Sequence, residues 1–426
     1  MDFNGLSIDQ APPISAPLRF FLTAPLFAIL AGFLIFFSDS ATLMSRYSMS
    51  SIAITHAMTL GFLSFVMLGA MTQMLPVLAS AKIPKVQLLT TLAHALLGGG
   101  TLFMILGFLQ GSSFYNTLAF VGLGSGFFII LSAIAYSLFG VANYTATVKA
   151  MATSIVFAFF TVAMGLYLLY AYIFNDISSM HLVVANVHSV WGVFGFAGIL
   201  IIGVSFQVLP MFYVAPKFKS FCKQKVVWLI TFGLLLWLFL SFYFEAYAFV
   251  GKIWIALFFW AYATTAWHKL NKRRRPISDV TVWYWRSASL FLTLGVFVWV
   301  LDEYFKHEYI VLAALLIGGF ILSVMVGMLY KIIPFLVWFH LNAKGYMSIP
   351  TINEMINKNL AKLQFVLFLS SFVGFIFSFY LPQVLQISAL SFIISMIVLQ
   401  YNIIAPVLIY KKVLKTKPDF DMSSFA

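Results

Sequence analysis

Long apolar runs, separated by short polar breaks, account for nearly the whole chain. They fall at residues 18–38, 52–79, 86–109, 115–140, 148–174, 182–212, 226–245, 247–267, 282–304, 309–338, 360–382 and 386–410. Each is roughly 18 to 30 residues long and does not alternate apolar with polar positions, which predicts a bilayer-crossing α-helix rather than a strand. The break around Glu245 and Tyr247 is the least distinct. Hydrophobic residues make up 62% of the chain and charged residues 9%, whereas a soluble protein carries roughly a quarter charged residues. Lipid resolves the conflict, and within it backbone groups must be paired inside helices or a closed barrel. The expected fold is all-α: one integral membrane domain over 1–426, with about twelve transmembrane helices and the bilayer as its first partner.

Charge placement predicts orientation. Lys217, Lys219, Lys223 and Lys225 follow the sixth run, and Lys269, Lys272, Arg273, Arg274 and Arg275 follow the eighth. Lys82, Lys85, Lys344, Lys358, Lys362 and the tail lysines 411, 412, 415 and 417 fall on the same side, against Arg46, Lys252 and Lys306 on the other. The positive-inside rule then puts both termini in the cytoplasm, as an even count requires, with the inner membrane as the location. The net charge of +13 is thus read as topology, not as nucleic-acid binding. The start, Met-Asp-Phe-Asn-Gly, has no basic n-region, so no cleavable signal peptide is expected. One cysteine, Cys222, excludes an internal disulfide or a cysteine metal cluster.

An internal repeat comes next. The second run contains Gly69-x3-Gln73-x-Leu75-Pro76, the sixth Gly203-x3-Gln207-x-Leu209-Pro210, and the tenth Gly327-x3-Lys331-x-Ile333-Pro334. Glycine and proline are common in membrane helices, so chance is one account. The other is a pseudo-threefold arrangement of four-helix units, approximately 18–140, 148–267 and 282–410, with a tail from 411 to 426.

The candidate chemistry is imidazole. His56 opens the second run, and His181 and His188 open the sixth, all toward the outer side. Neutral imidazole binds haem iron and copper, and ionisable groups within spans are functional candidates. Such a histidine can equally hydrogen-bond a neighbouring carbonyl. His94, followed by Gly98-Gly99-Gly100, reads as a buried polar contact rather than a ligand. His268, His340 and His307 sit at run ends and read as solvated. Met67, Met71 and Met74 share a helix face and offer thioethers for Cu(I), although methionine is ordinary packing filler. Gln73 and Gln207 are candidate buried polar groups. Lys331 in the third copy reads as a side chain snorkelling to the interface, or as part of a proton or anion path. No phosphate-binding glycine loop, nucleophile elbow or zinc-protease motif occurs.

The stretch from His188-Ser-Val-Trp-Gly192 through Gly203 to Gln207-Val-Leu-Pro210, together with His56, Gly61, Gly69 and Pro76, resembles the ligand-bearing helices of the haem-copper oxidase catalytic subunit. It most resembles the cbb3-type and nitric-oxide-reductase branch; NnrS-type haem and copper proteins are a looser comparison. The resemblance implies twelve spans in three units of four, with metal ligands on helices two, six, seven and ten. His56 would match the low-spin haem ligand and His188 the helix-six copper ligand. The seventh and tenth runs lack histidine, and Ala314 stands at the position matching His56. The full reaction centre therefore cannot be assembled. The expectation is a degenerate member binding one haem b or a copper ion, in a respiratory, nitric-oxide-response or copper-handling role. A transporter or channel on the same scaffold, or an assembly factor partnering respiratory-complex subunits, are the alternatives. Relative to the glycine motif, His188 lies two residues farther out than His56, about 200° of rotation at roughly 100° per residue. The two rings face a common point only if a helix start is irregular.

Overall fold

The computed structural model describes residues 11–79, 81–274, 279–302 and 309–420, so Arg275, Lys306 and His307 lie outside the described residues. Among the described residues there is no strand, and twelve helices are long and apolar enough to span a membrane. They are α1 (Ser15–Phe36), α2 (Met49–Val77), α3 (Val86–Gln110), α4 (Ser113–Phe139), α5 (Ala146–Phe174), α6 (His181–Tyr213), α7 (Ser220–Tyr243), α8 (Glu245–Asn271), α9 (Val280–Leu301), α10 (Tyr309–Asn342), α11 (Lys358–Phe377) and α12 (Val384–Val413). Short polar residues open several of them: Ser48, Ser112, Thr145, Asp279 and Asn357 each accept a hydrogen bond from a first-turn amide. The indistinct break resolves at Phe244, with a single 3-10 turn over Glu245–Tyr247. α7 starts at Ser220, so the segment bearing Lys223 and Lys225 is helical rather than connecting chain. The connection from Lys344 to Lys358 forms turns pinned by the tail, where the Asp419 carboxylate accepts from the Met347 and Ser348 amides.

The helices form three sets of four with the same neighbours in each. In every set the first helix packs on the second, the second on the third, the third on the fourth, and the fourth back on the second. α4 meets α5, α8 meets α9, and α12 meets α1, closing a ring. At that closure Gln400 Nε2 donates to the Leu22 carbonyl at 3.0 Å. α2, α6 and α10 are the most buried, with 72, 78 and 72% of their apolar windows inside the protein, which makes them the central helices.

All three central helices carry a π-helical stretch, at Ala57–Leu63, Trp191–Gly198 and Ala313–Leu322. The cause is legible in the packing. Each has two glycines eight residues apart: Gly61 and Gly69, Gly195 and Gly203, Gly319 and Gly327. The first helix of each set offers partners only seven apart: Phe20 and Phe27, Ala150 and Phe157, Tyr284 and Phe291. A Cβ on Gly61, Gly195 or Gly319 would fall within 2.6 Å of Phe27, Phe157 or Phe291. A Cβ on Gly69, Gly203 or Gly327 would fall within 3.0 Å of Phe20, Ala150 or Tyr284. Seven residues make two α-helical turns, and a π turn takes up one residue more. The π stretch thus lets two turns last eight residues and keeps both glycines against the neighbouring helix. The motif proline does not end the helix: α10 continues from Pro334 to Asn342.

Candidate metal centre

His56 lies at the last α-helical residue before the π stretch of α2, and His188 lies shortly before that of α6. The structure brings them together, both half-buried, with ring centroids 6.1 Å apart and planes 23° from parallel. His56 Nδ1 is 2.8 Å from the Ile52 carbonyl, and His188 Nδ1 is 2.9 Å from the Thr161 carbonyl of α5. A carbonyl can only accept, so in each neutral ring Nδ1 carries the proton and Nε2 keeps its lone pair. No described residue hydrogen-bonds either Nε2. A metal-binding imidazole is oriented in the same way, its far ring nitrogen donating to a carbonyl.

Gly165 of α5 makes room for this geometry. A Cβ there would lie 3.0 Å from His188 Cε1 and 3.5 Å from Nδ1. Around the opposite end of the pair, Arg46 reaches from the α1–α2 connection to α6. Its guanidinium donates to Asn186 Oδ1 at 2.8 Å, Ser189 Oγ at 2.8 Å and the Ala185 carbonyl at 3.2 Å. Thr55 Oγ1 and Tyr309 OH, 2.6 Å apart, tie α2 to α10 beside His56.

The remaining candidates go elsewhere. His181 stands two turns from His188, roughly 10 Å along the axis. It is buried edge-on to Tyr172, ring centroids 5.5 Å apart, so it does not join the pair. His94 Nε2 is 2.9 Å from Thr23 Oγ1, between the edges of Phe20 and Phe65. Met67 and Met71 are buried and Met74 packs against the core. Gln73 is buried with Oε1 unpartnered among the described residues, and Gln207 is half-buried at the matching level.

Lys331 does not reach outward to the interface. It is buried, pairs with Asp279 at the head of α9, and lies 6.0 Å from the Tyr213 ring centroid. Burial opposes ionisation of Asp279. The Lys331 charge and hydrogen bonds from Lys331, Thr281 and the Val282 amide outweigh it and hold the carboxyl below its ordinary value. Asp279 and Gly165 escaped the sequence reading. A lysine inside a span demands a partner, and that rule could have prompted a search for the carboxylate. Nothing in one sequence singles out Gly165.

The resemblance implies a haem or a copper ion, and the two make different demands on the site. A cavity of about 90 Å³ lies between α1, the α1–α2 connection, α2, α10, α11 and α12, below the roughly 150 Å³ that accommodates a benzene. Ala314 lines it and His56 does not. The cavity is too small for a haem and lies apart from the imidazole pair. The imidazole pair offers two nitrogen donors to one ion, with the rings stacked at a centroid separation of 6.1 Å. No third His, Cys, Asp or Glu gathers with them among the described residues, so the three or four protein ligands usual for zinc are not assembled. Two-coordinate nitrogen ligation suits Cu(I). No protein-family model and no curated protein matches this chain.

Proposed function

We propose that this chain is a haem-copper-oxidase-like membrane protein without a full reaction centre, which holds one Cu(I) between His56 and His188 in a copper-handling role. The observation that carries the reading is the pair of imidazoles 6.1 Å apart with both Nδ1 atoms committed to carbonyls. The lysine-rich end faces the cytoplasm and both termini lie there, which puts the copper site toward the outer side of an inner membrane. On this reading α5 fixes the His188 ring through Thr161 and Gly165, α2 fixes His56 through Ile52, and the apolar surroundings exclude water. Alone, the chain does not reduce oxygen or nitric oxide, because such chemistry needs a second metal centre that its residues do not provide. The test is Cu(I) titration of the purified chain against a competing chelator. About one ion per chain is expected in the wild type and none in His56→Ala or His188→Ala. Equal copper uptake by the wild type and both variants would overturn the proposal. A wild type free of copper would favour a transporter on this scaffold.

A further inference from the structure

We infer that the lysine-rich end of the second four-helix set is a binding surface for anionic lipid headgroups. The two connections at this end are locked together. The Arg274 amide donates to the Val214 carbonyl at 3.1 Å, and Lys269 Nζ donates to the Lys217 carbonyl at 2.7 Å while lying 5.5 Å from the Phe218 ring centroid. Lys219, Lys223 and Lys272 are close enough to Lys269 to act on it electrostatically. Lys217, Lys219, Lys225, Lys272 and Arg274 are exposed.

No carboxylate offsets them. Between Asp176 and Asp279 the sequence holds a single acid, Glu245, at the far end of α7 and α8, and Asp279 is engaged by Lys331. The other two sets serve as internal controls. The first has only Lys82 and Lys85 in its α2–α3 connection, and the third interleaves its lysines with Glu354 and Asp419. The shared helix packing therefore does not require this concentration of charge.

Depth and aromatic content favour lipid over a soluble acidic partner. The charges lie just before and on the first turns of α7 and on and just after the last turn of α8, where a bilayer ends. Phe221 and Trp228 are exposed two turns apart on one face of α7, with Lys225 one turn after Phe221. Trp267 is exposed on α8, with Arg286 5.7 Å from its ring centroid. Aromatic rings beside lysines at this depth make an interface anchor, and basic clusters beside spans attract anionic headgroups.

The test uses the full chain in nanodiscs of phosphatidylcholine containing a minor share of phosphatidylglycerol, with retained lipid counted by native mass spectrometry. The expected result is selective retention of phosphatidylglycerol that falls several-fold in K217Q/K219Q/K225Q. The third-set control K411Q/K412Q/K415Q should leave it unchanged, and K217R/K219R/K225R should keep it. Retention in the wild type should also fall on raising salt from 0.15 M to 1 M, a readout that stands even if the glutamine variant fails to fold. Salt-insensitive retention would overturn the inference, as would equal loss in both glutamine triples. Full displacement by inorganic phosphate, or capture of an acidic protein in place of the lipid, would overturn it too.

Discussion

At the level where α2 carries His56 and α6 carries the nearby His188, α10 carries Ala314. The frame around these positions is nonetheless the same in all three: a π stretch, two glycines eight apart, and an aromatic ring from the neighbouring helix seated on the outer glycine. α10 meets α2 through Tyr309 and Thr55, and leaves a small apolar cavity where a third imidazole would be. The frame therefore rests on shape complementarity between neighbouring helices, and the imidazoles are an addition that one copy does without. Scaffold and chemistry should be separable by mutation.

The largest effect follows directly. His56→Ala and His188→Ala should each abolish copper binding while leaving membrane insertion and thermal stability close to wild type, since α10 already forms the frame without histidine. Metal analysis and a melting curve on the same sample check both halves. Unfolding of either variant would break the separation.

Gly203→Ala should do the reverse. Its Cβ would lie 2.0 Å from the Ala150 Cβ, so α5 and α6 must part, at a cost on the order of 1–3 kcal/mol or above. Gly165→Ala sharpens the contrast, because its Cβ meets the His188 ring at 3.0 Å rather than fixed backbone. The ring can tilt, so stability should change little while Cu(I) affinity falls by about 10- to 100-fold, as for other changes behind a ligand. Competition titration measures that ratio.

Much of this frame could be read from the chain, and the reasons for the gaps are physical. Run length located twelve helices because lipid permits so few alternatives. The Gly-x3-[Gln/Lys]-x-[Leu/Ile]-Pro motif marked the three central helices. The π stretches did not stand out, because each rests on a mismatch between two helices: glycines eight apart facing partners seven apart. Either spacing alone is unremarkable in one sequence. Rotation at 100° per residue argued against His56 and His188 meeting, yet the packing of α2 and α6 brings the two rings side by side. Lys331 looked like a snorkelling side chain because Asp279 lies 52 residues away in sequence and comes near only through the packing of α9 on α10.

The lysine-rich ends of the central helices give the smallest contrast. Gln73 and Gln207 are neutral, whereas Lys331 needs Asp279. Lys331→Gln should cost about 1–3 kcal/mol, less than the 3–5 kcal/mol of a fully sealed pair because the Asp279 side chain is 39% exposed. The Asp279 carboxyl is held low in the folded protein. Its stabilising effect is present above the unfolded value of about 3.9 and is lost as pH falls through the folded one. In Lys331→Gln burial acts unopposed by the ammonium and the folded value rises, so the acid-induced loss of stability should shrink or reverse, which displaces the stability-versus-pH profile. Melting temperatures measured between pH 3 and pH 7 would reveal the displacement, and superimposable profiles would count against the pair.

The central claim is that two imidazoles share one copper ion. X-ray absorption at the copper edge of the purified, reduced chain tests it most directly. The expected spectrum is that of two-coordinate Cu(I) with two imidazole nitrogens at about 2.0 Å, lost in His188→Ala. Sulfur scattering at a longer distance would place the copper on methionines instead, and a four-coordinate spectrum unchanged in His188→Ala would contradict the shared site outright.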